Sequence, residues 1–96
     1  MLTWVLYDIQ KNKVRTKVAK FCERAGIYRV QYSVFLGELN KTKRKELRCQ
    51  IEEIIDPDND RIYIFPMCRE DFDQCELMGQ AFDKNLITDE LKALLM

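Results

Sequence analysis

The chain has 96 residues, a formal net charge of zero, 47% hydrophobic residues and no histidine. This length predicts one small domain with a modest core, and no apolar run approaches the roughly 20 residues that a membrane-spanning helix needs. The four cysteines have no CxxC spacing, so a zinc site is not expected, and the lack of histidine excludes a histidine-based acid–base mechanism. The N-terminal residues lack the basic region of a signal peptide, so we expect a cytoplasmic protein with free, buried thiols.

Basic and acidic residues are divided unevenly between the two halves of the chain. Residues 1–50 hold 12 of the 16 Lys and Arg but only 4 Asp and Glu, and residues 51–96 hold the remaining 4 and 12. The first half therefore carries a formal charge of +8 and the second half −8. This asymmetry indicates a basic working surface, although solvated helix faces in both halves would give the same counts.

Strand and helix patterns alternate along the first part of the chain. Residues 2–9 are predicted to form a strand, and a helix follows from Asn12, a predicted N-cap, to Gly26, a good helix terminator. Residues 27–39 are rich in β-formers but too long for one average strand of about 5–6 residues. They either bend or form a tight hairpin near Ser33. Because no Asn-Gly or Asp-Gly marks a turn, the sequence leaves both possibilities open.

The alternation continues in the second half. A second helix is predicted to follow Asn40 and to end before Pro57. Residues 61–68 are predicted to form a strand, in which Pro66 favours an edge position or a bulge. Residues 75–79 are predicted to form one more short strand. The second helix has an apolar stripe made of Leu47, Ile51, Ile54 and Ile55.

With a hairpin in residues 27–39, the element order is βαββαβ. This order predicts an α+β, ferredoxin-like fold, with two helices on one face of an antiparallel sheet and an extra short C-terminal strand. We assign residues 1–80 to this single domain and residues 81–96 to a C-terminal tail with the pattern of a short helix capped at Thr88. Both faces of the strands are apolar while two helices cover only one. The uncovered face therefore predicts an interaction surface, most simply within a twofold homodimer.

A single acid, Asp8, ends the first predicted strand, and the cations Lys11, Lys13 and Arg15 follow it. An acid at this place is typical of a helix cap or of a partner for the helix dipole. It is also typical of a ligand for a hard cation such as Mg²⁺, which binds one or two carboxylates and keeps several waters. In a twofold dimer this acid occurs twice, so two Asp8 side chains near the axis would supply both carboxylates, while the nearby cations would contact phosphate.

Three segments of the chain form a recognisable series. They are a strand end at Tyr7-Asp8 followed by a basic helix, RVQYSVFLGEL at residues 29–39, and IDPDNDRIYIFPMC at residues 55–68. In this order they resemble CRISPR-associated protein two, the small protein of the CRISPR adaptation module. The resemblance extends over roughly residues 1–80, and the tail matches no family pattern.

The resemblance implies a ferredoxin-like homodimer in a prokaryotic cytoplasm that acts in CRISPR spacer acquisition. Such a dimer binds duplex DNA and bridges CRISPR integrase subunits, and several family members are described as magnesium-dependent endonucleases on single-stranded RNA or duplex DNA. The implied cofactor is Mg²⁺ or Mn²⁺, held by the Asp8 side chains of both subunits, where it would activate a water for phosphodiester hydrolysis. A DNA-bridging scaffold without turnover stays an alternative. So does a generic ferredoxin-like interaction module, against which the charge of the first half argues.

The resemblance also assigns roles to single residues. The candidate catalytic residues are Asp8, the adjacent Tyr7, the basic residues Arg15 and Arg29, and Phe35. Tyr7 has an alternative role in the core because it points away from Asp8 along the strand. Phe35 has the same alternative, as a core contact near the hairpin tip.

One basic position departs from the family pattern. Lys17 occupies a place where the family has arginine, which keeps the charge but loses the planar guanidinium fork. The candidate nucleic-acid-binding residues share a positive charge and lie in or near the first helix or the following strand. They are Lys11, Lys13, Arg15, Lys17, Lys20 and Arg29.

Overall fold

Four strands and three helices alternate along residues 1–79, the part of the chain that this computed structural model describes. The sheet order is β2-β3-β1-β4, and all neighbouring strands are antiparallel. This arrangement confirms the predicted α+β, ferredoxin-like fold. The strands are β1 (Leu2–Asp8), β2 (Tyr28–Gln31), β3 (Val34–Glu38) and β4 (Arg61–Met67). The helices are α1 (Asn12–Arg24), α2 (Lys41–Ile54) and α3 (Arg69–Gln74).

A tight hairpin joins β2 to β3, which decides the question that the sequence left open. The turn consists of Tyr32 and Ser33, and the register shifts between Arg29 and Gln31. The Ser33 carbonyl accepts a 3.1 Å hydrogen bond from the Tyr7 amide, which ties the turn to β1. No non-glycine residue in the described part of the chain has a positive φ, so this turn does not need the residues that Asn-Gly would supply. The sequence therefore lacks an Asn-Gly turn signal because no residue of this turn adopts a positive φ.

The two long helices begin in different ways. Helix α2 follows Asn40 as predicted, and Asn40 caps it, since its side-chain oxygen accepts a 2.8 Å hydrogen bond from the Lys43 amide. The prediction that Asn12 caps α1 was wrong by one position. Lys11 occupies the N-cap without a side-chain bond, and the Asn12 oxygen instead accepts a 3.2 Å bond from Arg15.

Helices α1 and α2 cover one face of the sheet and form the main core with it. Val5 of β1 and Phe35 of β3 are fully buried there, against Val18 of α1 and Leu47 of α2. The apolar positions of both helices recur every three or four residues, so each helix presents one continuous stripe to the sheet. None of the helices within residues 1–79 is long and apolar enough to cross a membrane.

Among residues 1–79, the other face of the sheet is covered only at one end. Phe72 of α3 is fully buried against Leu2 and Leu36 on this face. Further along the same face, Tyr63 and Phe65 of β4 remain 51% and 47% exposed. The open face of the sheet, as we call this region, is thus an apolar surface that residues 1–79 leave uncovered.

The extra strand predicted at residues 75–79 is not present in the described chain, so this part of the fold prediction was wrong. The short helix α3 precedes these residues, and Cys68 caps it by accepting a 3.5 Å hydrogen bond from the Asp71 amide. Phe72 anchors α3 on the face of the sheet, and residues 75–79 that follow α3 pair with no strand among the described residues. The predicted tail at residues 81–96, with its helix at Thr88, lies outside the described residues.

The cysteines also depart from the prediction. Only Cys22 is buried, whereas Cys49 and Cys68 are exposed and Cys75 is half-buried. Burial raises the pKa of the Cys22 thiol to about 12, so that sulfur is an inert core group at neutral pH.

Candidate functional site

Asp8 lies at the exposed end of β1 and on the same side of the sheet as the open face. Side chains alternate along β1, so Trp4, Leu6 and Asp8 lie on one side of the sheet. Trp4 pairs with Phe65 and Leu6 pairs with Tyr63, which lie on the open face. Arg61, the first residue of β4, is the cross-strand partner of Asp8. Asp8 and Arg61 are therefore cross-strand neighbours at the border of the open face.

Arg61 is a candidate site residue that the sequence interpretation missed. It is exposed, and its neighbour on β1 is the candidate metal ligand Asp8. A guanidinium in this place suits a phosphate group that contacts the same site. The sequence carries no local signal for this pairing, because it depends on the antiparallel register of β1 and β4.

The loop that follows Asp8 is held by hydrogen bonds from two other elements. Arg15 of α1 donates through Nη1 to the Ile9 carbonyl at 2.9 Å. The Gln10 amide donates to Oδ1 of Asp60 at 3.0 Å. Ile9 itself is buried in the main core. The backbone on the C-terminal side of Asp8 is consequently fixed by side chains as well as by packing.

Arg15, predicted as a catalytic and phosphate-binding residue, is directed into this loop. Besides the bond to Ile9, its guanidinium donates to the side chain of Asn12 at 3.2 Å, and its Nε is buried without a hydrogen-bond partner among the described residues. The Arg15 guanidinium therefore stabilises the conformation of the β1–α1 loop through these hydrogen bonds.

Tyr7, Phe35 and Arg29 form a cluster on the helix-covered face, away from Asp8. Tyr7 and Phe35 are both buried and lie stacked, with ring centroids 6.3 Å apart and an interplanar angle of 24°. The Arg29 guanidinium carbon lies 5.2 Å from the centre of the Phe35 ring. Burial raises the pKa of the Tyr7 phenol, while the hydrogen bond and charge of Arg29 oppose that rise, so Tyr7 is a neutral phenol at physiological pH. The structure thus places Tyr7 and Phe35 in the core, and Asp8 on the other side of β1.

The predicted cations of α1 belong to a larger basic surface. Lys11, Lys13, Lys17 and Lys20 are all exposed. Helix α2 lies beside α1 and adds a second set of cations that the sequence interpretation did not select, although KTKRK is visible at residues 41–45. The cations of α2 are Lys41, Lys43, Arg44, Lys45 and Arg48. Together with the lysines listed above, they form what we call the basic helix layer.

The donor set for a metal ion is small within one chain. No group of three or more His, Cys, Asp or Glu residues that could hold a metal occurs among residues 1–79. The exposed carboxylate of Asp8 is nevertheless a hard oxygen donor, and Mg²⁺ needs only one or two carboxylates besides water. The exposed Asp8 therefore fits a largely hydrated Mg²⁺, to which a second copy of Asp8 would add another carboxylate.

Comparison with known proteins shows a consistent family. The family model described as CRISPR associated protein Cas2 matches residues 1–75. A CRISPR-associated endoribonuclease Cas2 1 of Archaeoglobus fulgidus is 44% identical over 69 residues, which are 72% of this chain and 73% of the relative. A CRISPR-associated endoribonuclease Cas2 of Desulforudis audaxviator is 39% identical over 71 residues, covering 74% of this chain and 67% of the relative.

Solved structures agree with these matches. The crystal structure of Streptococcus pyogenes Cas2 at pH 6.5 matches this chain with a TM-score of 0.71 and a sequence identity of 27%. The match covers 82% of this chain and 100% of the Streptococcus pyogenes chain. A hypothetical protein of Thermus thermophilus, TT1823, has a TM-score of 0.69 and 32% identity over 81% of this chain and 89% of its own.

Proposed function

The chain belongs to the CRISPR-associated protein Cas2 family, and from this premise we propose that it is a homodimeric, metal-dependent endonuclease that hydrolyses phosphodiester bonds in RNA. The observation that carries the proposal is the exposed Asp8 carboxylate at the border of the open face. The choice of RNA follows the names of the two relatives, both of which are called endoribonucleases. The proposed setting is CRISPR adaptation in a prokaryotic cytoplasm.

The homodimer is supported by the apolar character of the open face. Tyr63 and Phe65 are about half exposed and stack on each other at 6.1 Å, next to the partly buried Trp4 and Leu6. Contiguous aromatic surface of this kind is a feature of protein interfaces. Asp8 follows Leu6 on the same side of β1, so a twofold axis through this face would bring the two Asp8 side chains towards each other.

The two Asp8 carboxylates would hold Mg²⁺ or Mn²⁺. When bound, such an ion acts as a Lewis acid and lowers the pKa of a coordinated water. The remaining work falls to the chain itself. Arg61 beside Asp8 binds and orients the phosphate, and Arg15 keeps the loop after Asp8 in place. Tyr7 and Phe35 belong to the core behind β1, and the exposed Arg29 lies against the Phe35 ring.

A second candidate function is a scaffold that binds duplex DNA and bridges CRISPR integrase subunits without turnover. The basic helix layer favours it, since α1 and α2 lie on the opposite side of the sheet from Asp8. A surface of Lys and Arg contacts phosphates without reading bases, and it would bind DNA whether or not the Asp8 site cleaves anything.

The test compares wild type with Asp8→Asn on single-stranded RNA and on duplex DNA, with Mg²⁺ and with a chelator. Asn keeps the shape of Asp, but it removes both negative charges from the dimer site. We expect Mg²⁺-dependent RNA cleavage by wild type, its loss in Asp8→Asn, and unchanged DNA binding in both.

Asp58→Asn is the matched control, because Asp58 is also exposed but lies in the loop before β4. Equal cleavage by Asp8→Asn and Asp58→Asn would refute the nuclease site. A wild type that binds duplex DNA and an integrase subunit but never cleaves would favour the scaffold.

A further inference from the structure

The loop after Asp8 is attached to a distant segment of the chain through one carboxylate. Asp60 accepts the Gln10 amide on Oδ1 at 3.0 Å and the Asp56 amide on Oδ2 at 2.9 Å. Gln10 and Asp60 are 50 residues apart in sequence. The Asp60 side chain therefore joins the β1–α1 loop to the turn that precedes β4.

Asp60 differs from its neighbours in this turn. It is half-buried, whereas residues 56–59 are exposed, and its own amide donates to the Asp56 carbonyl at 2.8 Å. The next residue, Arg61, is the cross-strand partner of Asp8. By holding both segments, Asp60 fixes the two strand ends at which the candidate carboxylate and its neighbouring guanidinium lie.

The chemistry of the contact requires a carboxylate. Two backbone amides need two acceptor oxygens, and an ionised Asp supplies both, whereas Asn supplies one oxygen and a competing donor. Hydrogen bonds to a charged acceptor are also stronger than neutral ones. Because each Asp60 oxygen already accepts a backbone amide, this residue is suited to orienting the site rather than to binding the ion directly.

We propose that Asp60 is a positioning residue for Asp8: it holds the backbone after β1 so that the Asp8 carboxylate points to the shared ion site. The inference rests on the proposed function, since it assigns a part in the same reaction. Residues that orient metal ligands affect metal affinity or activity by about 10- to 100-fold when they are changed. A residue with a purely structural role would instead lower stability and leave the metal requirement of the folded enzyme unchanged.

The experiment uses the full chain with Asp60→Asn and the matched control Asp58→Asn. Two quantities are measured: hydrogen exchange at the Gln10 amide, and the Mg²⁺ concentration that gives half-maximal RNA cleavage. For Asp60→Asn we expect faster Gln10 exchange and a Mg²⁺ requirement raised by about 10- to 100-fold, with KM for RNA at saturating Mg²⁺ unchanged. The control should match wild type in each measurement. Asp60→Ser, which keeps one short acceptor, replaces Asp60→Asn if that variant does not fold.

The outcomes separate this inference from the proposed function. If wild type does not cleave RNA in Mg²⁺, the proposed function fails and the inference fails with it. If wild type cleaves and Asp60→Asn needs no more Mg²⁺ than Asp58→Asn, the inference alone is refuted. Faster Gln10 exchange with an unchanged Mg²⁺ requirement would also refute it, because the contact would then be structural only.

Discussion

Replacing Phe35 tests whether this aromatic serves the core or the chemistry. Its side chain is 0% exposed, stacks on Tyr7 and lies under the Arg29 guanidinium. Truncation of a buried Phe to Ala costs about 3–5 kcal/mol. The lost contact with the cation adds about 0.5–1 kcal/mol, because Arg29 is exposed. A small domain has a total stability of about 5–15 kcal/mol, so Phe35→Ala should remove a large share of it.

The milder Phe35→Leu separates the two roles. It keeps most of the apolar volume and is expected to cost about 1–2 kcal/mol, so the protein stays folded. Urea unfolding, followed by the fluorescence of Trp4 at fixed protein concentration, measures the loss. Cleavage is assayed on the same samples. Tyr32→Ala is the control, because Tyr32 is an aromatic of the same hairpin that is 72% exposed. If Phe35→Leu were as stable as wild type yet inactive, Phe35 would take part in the reaction and the core interpretation would be refuted.

Three further predictions test the dimer, the basic helix layer and the buried thiol. Light scattering at micromolar concentration should give twice the 11.5 kDa chain mass, and Phe65→Glu should give the monomer mass; a monomeric wild type would remove the shared metal site. Duplex DNA affinity should fall linearly with salt on logarithmic axes, and Lys17→Glu and Lys45→Glu should each lower both affinity and slope. If neither changes them, the helix layer is merely solvated. Cys22 should resist alkylation at pH 8 while Cys49 reacts. The folded pKa of Cys22, about 12, is above the ordinary thiol pKa of 9.0. Its contribution to stability is therefore complete below pH 9 and is lost as pH rises towards 12, which pH-dependent unfolding can measure.

Much of the fold was predictable because its signals are local. Asn40 caps α2 through a residue three positions away, and the apolar stripe of α2 follows from helical spacing alone. The hairpin in residues 27–39 could only be left open, because its turn uses no left-handed residue. The short helix α3 was missed since it depends on Phe72 packing against Leu2 and Leu36, which are distant in sequence.

Some residues of the candidate site were also visible in the sequence, and others were not. Asp8 was visible in the sequence as one acid at the end of an apolar strand, and the cations of α1 were visible as a cluster. The places of Arg61 and Asp60 were not, because they follow from the antiparallel register of β1 with β4 and from a hydrogen bond between residues 50 apart. The direction of Arg15 into its loop likewise depends on where the Ile9 carbonyl lies after the chain has folded.

The sequence by itself thus determined the two long helices, the first and last strands of the sheet, where the charges lie along the chain and which acid ends the first strand. These properties depend on neighbours within a few residues, whose spacing is fixed by helix and strand geometry. The tertiary structure decided which charged groups meet at Asp8, which aromatics are buried behind it and which face of the sheet stays open. Those outcomes depend on strand order and register, which no local pattern encodes. A slip of one residue in the register would move every side chain of the strand to the other face of the sheet.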